Sequence, residues 1–113
     1  DVAFESDGSS FYGPRDIYAL ESRNYDNKVV LSWKVDQGKG TARVFMASEN
    51  NFAKGQPDDW KEVATVPVTG GGCIVDLGAV DSDFYKFAVQ TENTVLNLWN
   101  PRKKINPTSQ PND

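Results

Sequence analysis

The sequence contains no histidine and a single cysteine, and these two absences exclude several kinds of site. Without histidine there is no Ser-His-Asp triad, no Cys-His pair, and no metal site or pH switch built on imidazole. The lone Cys73 excludes an intrachain disulfide and a cysteine-only zinc site, and its apolar surroundings predict a small core residue. We therefore expect no metal and no cofactor, and an enzyme is the least favoured class of function.

Charge and hydropathy narrow the range of partners. The chain carries 12 basic and 16 acidic residues, a formal net charge of −4, whereas nucleic-acid binding needs a concentrated basic patch. The densest basic run, residues 102–104, predicts a solvated end of the chain. No segment approaches the ~20 consecutive apolar residues of a transmembrane helix. We expect neither a nucleic-acid partner nor membrane insertion.

The 113 residues fit one domain with polar stretches at both ends. Residues 1–13 mix glycine, serine and acidic residues with three aromatics, which predicts a linker or a segment pinned to the domain. Residues 100–113 contain three prolines and little apolar content, typical of a disordered tail or an interdomain linker. The folded unit is predicted to span residues 14–99.

Within that unit, apolar and polar residues alternate with a period of two, the pattern of half-buried antiparallel strands. In residues 29–35, Leu31 and Trp33 share one face while Ser32 and Lys34 lie on the other. Seven short strands are predicted in all: residues 17–20, 29–35, 42–47, 63–66, 73–77, 85–90 and 95–99.

The sixth predicted strand repeats the pattern, with Tyr85 and Phe87 on its apolar face and Ala88 on the other. Turn-forming residues fill the gaps, and glycines 70–72 predict a flexible hairpin turn rather than a phosphate cradle. One helix-like stretch, residues 49–54, is too short to change the fold class. The chain is therefore predicted to be an all-β, seven-stranded antiparallel sandwich of two sheets.

The order of several residues along these strands resembles a fibronectin type III domain. Pro14 precedes the first strand, Trp33 lies on the second, Leu77 precedes a turn, and Tyr85 opens a Y-x-F-x-V-x-T-x-N strand. The resemblance covers residues 14–99 and implies an immunoglobulin-like sandwich. It also implies that Trp33 anchors the core, and that the Tyr85 hydroxyl bonds back to the backbone of the preceding corner.

The resemblance extends to the setting in which such a module works. Residues 91–100, TENTVLNLWN, are similar to modules attached to secreted or surface carbohydrate-processing proteins of bacteria. This implies a secreted or cell-surface location, with neighbouring domains of a parent protein as partners. The chain departs from the family in its long segment 49–60 and in Leu98 and Trp99, where small polar residues are common. No Arg-Gly-Asp sequence is present, so integrin binding is not implied.

Exposed aromatic rings are the sharpest candidates for a binding site, because flat rings stack on the apolar faces of sugars. Trp60 is the best platform, with Phe52 on the same long segment and Asp58 beside it, and Trp99 is a second candidate. The alternative interpretation is structural: Trp60 opens a strand and caps the sandwich edge, while Trp99 packs over one end or against a neighbouring domain.

Acidic residues cluster in the predicted turns, as Asp58 and Asp59 and as Asp76 with Asp81 and Asp83. Paired carboxylates at a suitable separation could carry glycosidase chemistry. Asp81 and Asp83 could begin a calcium site, which needs about six oxygen ligands. No loop has that density of ligands, so these residues are interpreted as solvated turn formers.

Two functions remain, and they differ in what the surface of the domain does. The favoured one is a non-catalytic accessory module, a spacer or docking element within a larger multidomain extracellular protein. The alternative is a binding module that contacts a glycan or a protein through loop aromatics, above all Trp60 and Phe52. The first rests on fold-level analogy, the second on exposed rings.

Overall fold

The structure, a computed structural model, describes residues 15–48 and 60–101. In this part of the chain there are seven strands: β1 (Ile17–Tyr25), β2 (Lys28–Val35), β3 (Thr41–Ser48), β4 (Lys61–Pro67), β5 (Gly72–Asp76), β6 (Phe84–Gln90) and β7 (Val95–Pro101). They form a three-stranded sheet in the order β1-β2-β5 and a four-stranded sheet in the order β4-β3-β6-β7. Every neighbouring pair is antiparallel. The predicted all-β architecture of seven strands in two antiparallel sheets is confirmed.

The core lies between the two sheets, because side chains alternate between the two faces of each strand. In β2, Leu31 and Trp33 are buried whereas Ser32 and Lys34 are exposed to solvent. Strands of both sheets and their connections supply the other buried members of this core, which are Ile17, Val29, Ala42, Val44, Val68, Val75, Val80, Tyr85, Phe87, Val89 and Leu96.

Trp33 is an aromatic anchor of the core, with only 5% of its surface exposed. Its indole Nε1–H donates a hydrogen bond to the Val68 carbonyl at 3.1 Å. This bond satisfies the one polar group of the ring inside an apolar environment. The predicted core role of Trp33 is confirmed.

The Tyr85 ring is buried, and its hydroxyl is held in the connection that precedes β6. The Asp81 backbone N–H donates to Tyr85 Oη at 3.2 Å, and the hydroxyl donates to Asp81 Oδ1 at 3.3 Å. The expected bond from this hydroxyl back to the preceding corner is therefore present. Burial is the main cause that raises the pKa of Tyr85, so the phenol stays protonated at neutral pH.

Residues 70–72 form a crossing between the two sheets, so the prediction of a hairpin turn there is wrong. β4 pairs with β3 and β5 pairs with β2, and a short 3-10 turn at Val68–Gly70 carries the chain across. Gly71 has a φ of 74°, and its carbonyl accepts a hydrogen bond from the Trp33 N–H at 3.0 Å. Gly72 passes so close to β2 that a Cβ there would collide with the Leu31 carbonyl oxygen.

β1 is longer than the predicted strand, which ended at Leu20. Its second half is a polar run that pairs with β2 as far as Tyr25. The register shifts between Tyr18 and Glu21, where Ala19 has a φ of 58°, so a bulge interrupts the strand. β1 lies at the edge of its sheet. Such an edge strand can form with few apolar residues, so the alternation of apolar and polar residues predicted only its first half.

Three predicted segments lie wholly or mostly outside the described residues: the linker 1–13, the helix-like stretch 49–54 and the tail 100–113. They stay predictions, as do the boundaries of the folded unit at residues 14 and 99. β7 itself ends at Pro101, two residues beyond its predicted end.

Candidate functional site

The outer face of the four-stranded sheet carries a second apolar cluster, on the side away from the core. Phe45 on β3 and Ala88 on β6 are buried there, and Trp60 and Val95 pack against them. Alternation along β6 predicts that Ala88 faces water, yet its side chain is fully buried. This face is therefore more apolar than the water-facing side of an ordinary antiparallel sheet.

The strand register aligns Trp60, Lys86 and Trp99 across this outer face. Lys86 on β6 lies opposite Trp99 on β7 and opposite Ala47 on β3. Trp60 directly precedes the first residue of β4. That residue pairs with β3 one position before Ala47. The Lys86 Nζ lies 5.9 Å from the ring centroid of Trp60 and 6.0 Å from that of Trp99. Both distances are within the range of cation–π attraction. We call these three residues the tryptophan row.

Trp99 is the more exposed of the two tryptophans in this row, with 54% of its surface in contact with solvent. Its ring stacks on Phe84, with the ring centroids 4.2 Å apart and the planes inclined by 14°. Stacking on a neighbour fixes the orientation of an aromatic ring. Among residues 15–48 and 60–101, Trp99 is thus a ring supported by Phe84 on the outer face of the sheet, and it is not part of the core.

Trp60 combines the two roles considered for it. Its ring is half-buried and packs on the cluster of Phe45 and Ala88, as the structural interpretation expects. It also belongs to the tryptophan row, beside the Lys86 ammonium, which the sequence did not indicate. The structure brings Trp60 and Trp99 to one face, whereas Phe52 and Asp58 lie outside the described residues.

Arg43 and Glu62 form an ion pair on the same sheet face. The Arg43 guanidinium donates to both carboxylate oxygens of Glu62, at 2.9 and 3.2 Å, and lies 5.0 Å from the centroid of the Phe45 ring. The Thr65 hydroxyl also donates to Glu62, at 2.8 Å. These hydrogen bonds raise the pKa of Arg43 and lower that of Glu62. Both groups therefore stay charged at neutral pH, and their charges compensate each other.

An open groove of about 430 Å³ lies at the end of the same sheet where β3 begins. Its lining carries both signs of charge, since Lys39, Arg43 and Glu92 all contribute to it. The tryptophan row crosses β3 at Ala47, toward the opposite end of that strand. The groove and the row are therefore separate features, and only the row presents aromatic rings.

The carboxylates of Asp76 and Asp81 accept hydrogen bonds from residues near them in sequence. Asp76 Oδ1 accepts from the Gly78 N–H at 2.8 Å and from the Asn27 side chain at 3.2 Å, while Asp81 accepts from Tyr85. Within residues 15–48 and 60–101, no three potential ligands among Cys, Asp and Glu gather closely enough to hold a metal ion. These arrangements fit the interpretation of both residues as turn formers.

Cys73 lies on β5 and packs against the core, half-buried rather than fully buried. Burial raises the pKa of its thiol to about 11. The thiolate is the reactive form of cysteine, and at neutral pH almost none is present. Cys73 is therefore a poor nucleophile in this environment.

Within the described part of the chain, two polar networks join the sheets, and the sequence indicated neither of them. The buried Asp16 carboxylate accepts from the Thr91 hydroxyl and the Asn93 N–H, each at 2.7 Å. At the opposite end of β1, Asn100 accepts from Ser22 at 2.7 Å and donates to Asn24 at 3.0 Å. The partners are more than 70 residues apart in sequence, so only the folded chain reveals them.

Comparisons with known protein families, with curated proteins and with solved structures find no match to this chain. Among the described residues, no helix has the length and apolar character needed to cross a membrane. The candidate site therefore rests on its own geometry.

Proposed function

We propose that the chain is a non-catalytic accessory module, a fibronectin type III-like sandwich that acts as a spacer or docking element in a larger extracellular or surface protein. Its strand orders β1-β2-β5 and β4-β3-β6-β7 support the proposal. So do the buried Trp33 on β2 and the Tyr85 hydroxyl bonded to its corner. Trp33 and Tyr85 are among the residues on which the resemblance to that family rests.

The observation that carries a docking role is Trp99. An aromatic ring that is more than half exposed contributes little to folding, yet it provides a large apolar area to a partner. Because Phe84 already supports the ring, Trp99 loses little side-chain freedom on binding. A supported, exposed ring is therefore better explained by contact with a partner than by stability.

The chemistry of the described residues favours a non-catalytic role. The Asp76 carboxylate accepts from the Gly78 N–H in its turn, and the Asp81 carboxylate accepts from the Tyr85 hydroxyl on β6. The Cys73 thiol is protonated at neutral pH, because burial raises its pKa. A nucleophile activated by an adjacent base is the minimum for covalent catalysis, and neither arrangement supplies one.

A second candidate is a binding module that contacts a glycan or a protein through Trp60 and Phe52. The observation that favours it is the position of Trp60 in the tryptophan row, on the same face as Trp99. In this version of the proposal the contact surface lies on the sheet face itself rather than on a loop alone.

The unfolding of Trp99→Ala tests whether this ring is a contact residue. We expect the free energy of unfolding in urea to fall by less than about 1 kcal/mol, as at exposed sites generally. Trp33→Ala is the matched control and should lose about 3–5 kcal/mol, because it leaves a cavity in the core. Equal losses in the two variants would make Trp99 a structural residue and overturn the docking role.

A further inference from the structure

The open groove beside the start of β3 lies where two neighbouring strands part. β3 pairs with β4 from Thr41 onward, but it pairs with β6 only from Arg43, which lies opposite Gln90. Beyond that pair the chain turns toward β7 through Thr91 and Glu92, and both of these residues line the groove. The groove of about 430 Å³ therefore follows from strand pairing that ends earlier on one side of β3 than on the other.

Buried hydrogen bonds hold both walls of this groove. On the β6 side, the Thr91 hydroxyl donates to the buried Asp16 carboxylate at 2.7 Å, which ties the connection between β6 and β7 to the residue that precedes β1. On the β3 side, the Gly40 carbonyl accepts from the N–H of the buried Val68 at 2.9 Å. A site whose walls are already fixed loses little conformational freedom when a ligand binds.

The polar side chains that line the groove are available to a ligand. Lys39 and Glu92 are exposed, and Gln90 is half-buried. Among residues 15–48 and 60–101, Lys39 and Glu92 form no ion pair with each other or with another charged group. The groove therefore holds a positive and a negative charge that do not neutralise each other directly.

The balance of charge in the groove favours a ligand that carries both signs. The Arg43 guanidinium also contributes to the lining, but Glu62 accepts two hydrogen bonds from it and compensates its charge. This leaves the Lys39 ammonium and the Glu92 carboxylate, so a ligand of one sign is attracted by one group and repelled by the other. A zwitterion can pair with both groups. The volume of the groove lies within the range of about 300–1,000 Å³ that is typical of small-molecule sites.

We propose that this groove binds an extended zwitterion of about the size of a dipeptide. The ligand carboxylate accepts from the Lys39 ammonium, the ligand ammonium donates to the Glu92 carboxylate, and the Gln90 amide hydrogen-bonds to polar atoms between them. Exposed ion pairs are individually weak, so the affinity depends on one molecule that joins both charges. The site is separate from Trp99, so the proposal goes beyond the docking role and does not depend on it.

Titration of the full chain with linear zwitterions tests the proposal in two-dimensional ¹H–¹⁵N spectra. Glycine, 4-aminobutanoate, 6-aminohexanoate and glycylglycine differ in the distance between ammonium and carboxylate. Butanoate and butylamine are the probes that carry one charge. The backbone amide signals of Gly40, Thr41, Gln90 and Glu92 report on the groove, and that of Ile74, on the other sheet, is the reference.

We expect at least one of the longer zwitterions to shift the groove signals in a saturable way and to bind more tightly than either singly charged probe. Lys39→Gln and Glu92→Gln should each weaken that binding about three- to fivefold, as the loss of one exposed ion pair. The matched controls Lys34→Gln and Glu21→Gln make the same changes at exposed positions of the three-stranded sheet and should leave it unchanged. The double variant Lys39→Glu with Glu92→Lys should restore binding, because the ligand can then bind in the reverse orientation.

Three results would overturn the proposal. They are the absence of a saturable shift with every zwitterion, equally tight binding of a singly charged probe, and binding that neither Lys39→Gln nor Glu92→Gln weakens. Urea unfolding of each variant separates lost binding from lost folding, and both substituted side chains are exposed. None of these results involves Trp99, so a negative titration leaves the docking role to its own test.

Discussion

The outer faces of the two sheets differ in how their apolar side chains are arranged. On the four-stranded sheet, aromatic rings gather into one cluster with the tryptophan row across it. On the three-stranded sheet, Ile74 and Tyr25 are 63% and 67% exposed, and Ile74 pairs with Val30 on β2. Scattered exposed apolar residues are normal on any protein, whereas a contiguous patch marks a contact surface. The proposed docking role therefore assigns the contact surface to the four-stranded sheet.

Folding does not require this difference. Both sheets face a shared core of buried side chains, so each already has the apolar face that stabilises a sandwich. The three-stranded sheet shows that the outer side can be left to polar residues such as Glu21 and Ser32, which pair with each other across β1 and β2. The extra apolar layer on the other sheet consequently calls for a separate explanation, and contact with a partner provides one.

The largest expected loss of stability follows from replacing Phe45, and replacing Ile74 on the other sheet is the comparison. Phe45→Ala should lower the free energy of unfolding by about 3 kcal/mol, because the ring is buried under its neighbours. Ile74→Ala should lower it by less than about 1 kcal/mol, because most of that side chain is already in water. Urea denaturation measures both changes. Equal losses would show that the two outer faces do not differ in packing.

A smaller loss of stability is expected when the hydrogen bonds of Asp16 between the two sheets are removed. Burial raises the pKa of this carboxyl, but the hydrogen bonds from Thr91 and Asn93 outweigh burial and hold it below its ordinary value of 3.8. Asp16→Asn should cost about 2 kcal/mol at pH 7, the contribution of hydrogen bonds to a charged acceptor.

The stabilising contribution of the Asp16 carboxylate should fall at acidic pH. A carboxyl whose pKa is lowered in the folded state stabilises the fold above pH 3.8, and that contribution is lost as the pH falls through the folded pKa. The difference in unfolding free energy between wild type and Asp16→Asn should therefore shrink as the pH is lowered from 4 toward the pKa of Asp16 in the folded protein. Urea unfolding at several acidic pH values checks this, and a constant difference would contradict the assignment.

The smallest effect concerns Ala19, in the bulge of the three-stranded sheet. A left-handed φ costs a residue with a Cβ about 1–2 kcal/mol, while glycine loses somewhat more chain entropy on folding. With its φ of 58°, Ala19→Gly should stabilise the domain by about 0.5–1 kcal/mol in thermal unfolding. Because the change is confined to the other sheet, the outer face of the four-stranded sheet should stay as in wild type. A destabilised variant would contradict the strain at this bulge.

Local pattern was sufficient to predict the strands, because alternation records which face of each strand is buried. Leu31 and Trp33 on β2 identify their strand without knowledge of its neighbours. The same rule failed at Ala88, where a second apolar layer lies on the far side of the sheet. It also failed at glycines 70–72, because turn-forming residues do not reveal whether the next strand joins the same sheet.

The candidate site was harder to predict, because it depends on pairing between distant strands. Trp60 and Trp99 were singled out individually, but their alignment with Lys86 follows from the register of β3, β6 and β7. A shift of one residue in either pairing would turn alternate side chains to the core. No local pattern specifies that register, so the sequence indicated the rings without indicating the row.

The three tryptophans of the chain allow a direct test of the central claim, that the outer face of the four-stranded sheet is a binding surface. A two-dimensional ¹H–¹⁵N spectrum resolves one indole N–H signal from each ring, assigned with Trp60→Phe and Trp99→Phe variants. On titration with soluble oligosaccharides, the signals of Trp60 and Trp99 should shift, while that of Trp33, bonded to Val68 in the core, stays fixed. Shifts confined to the three-stranded sheet, or no shift at any tryptophan, would contradict the account.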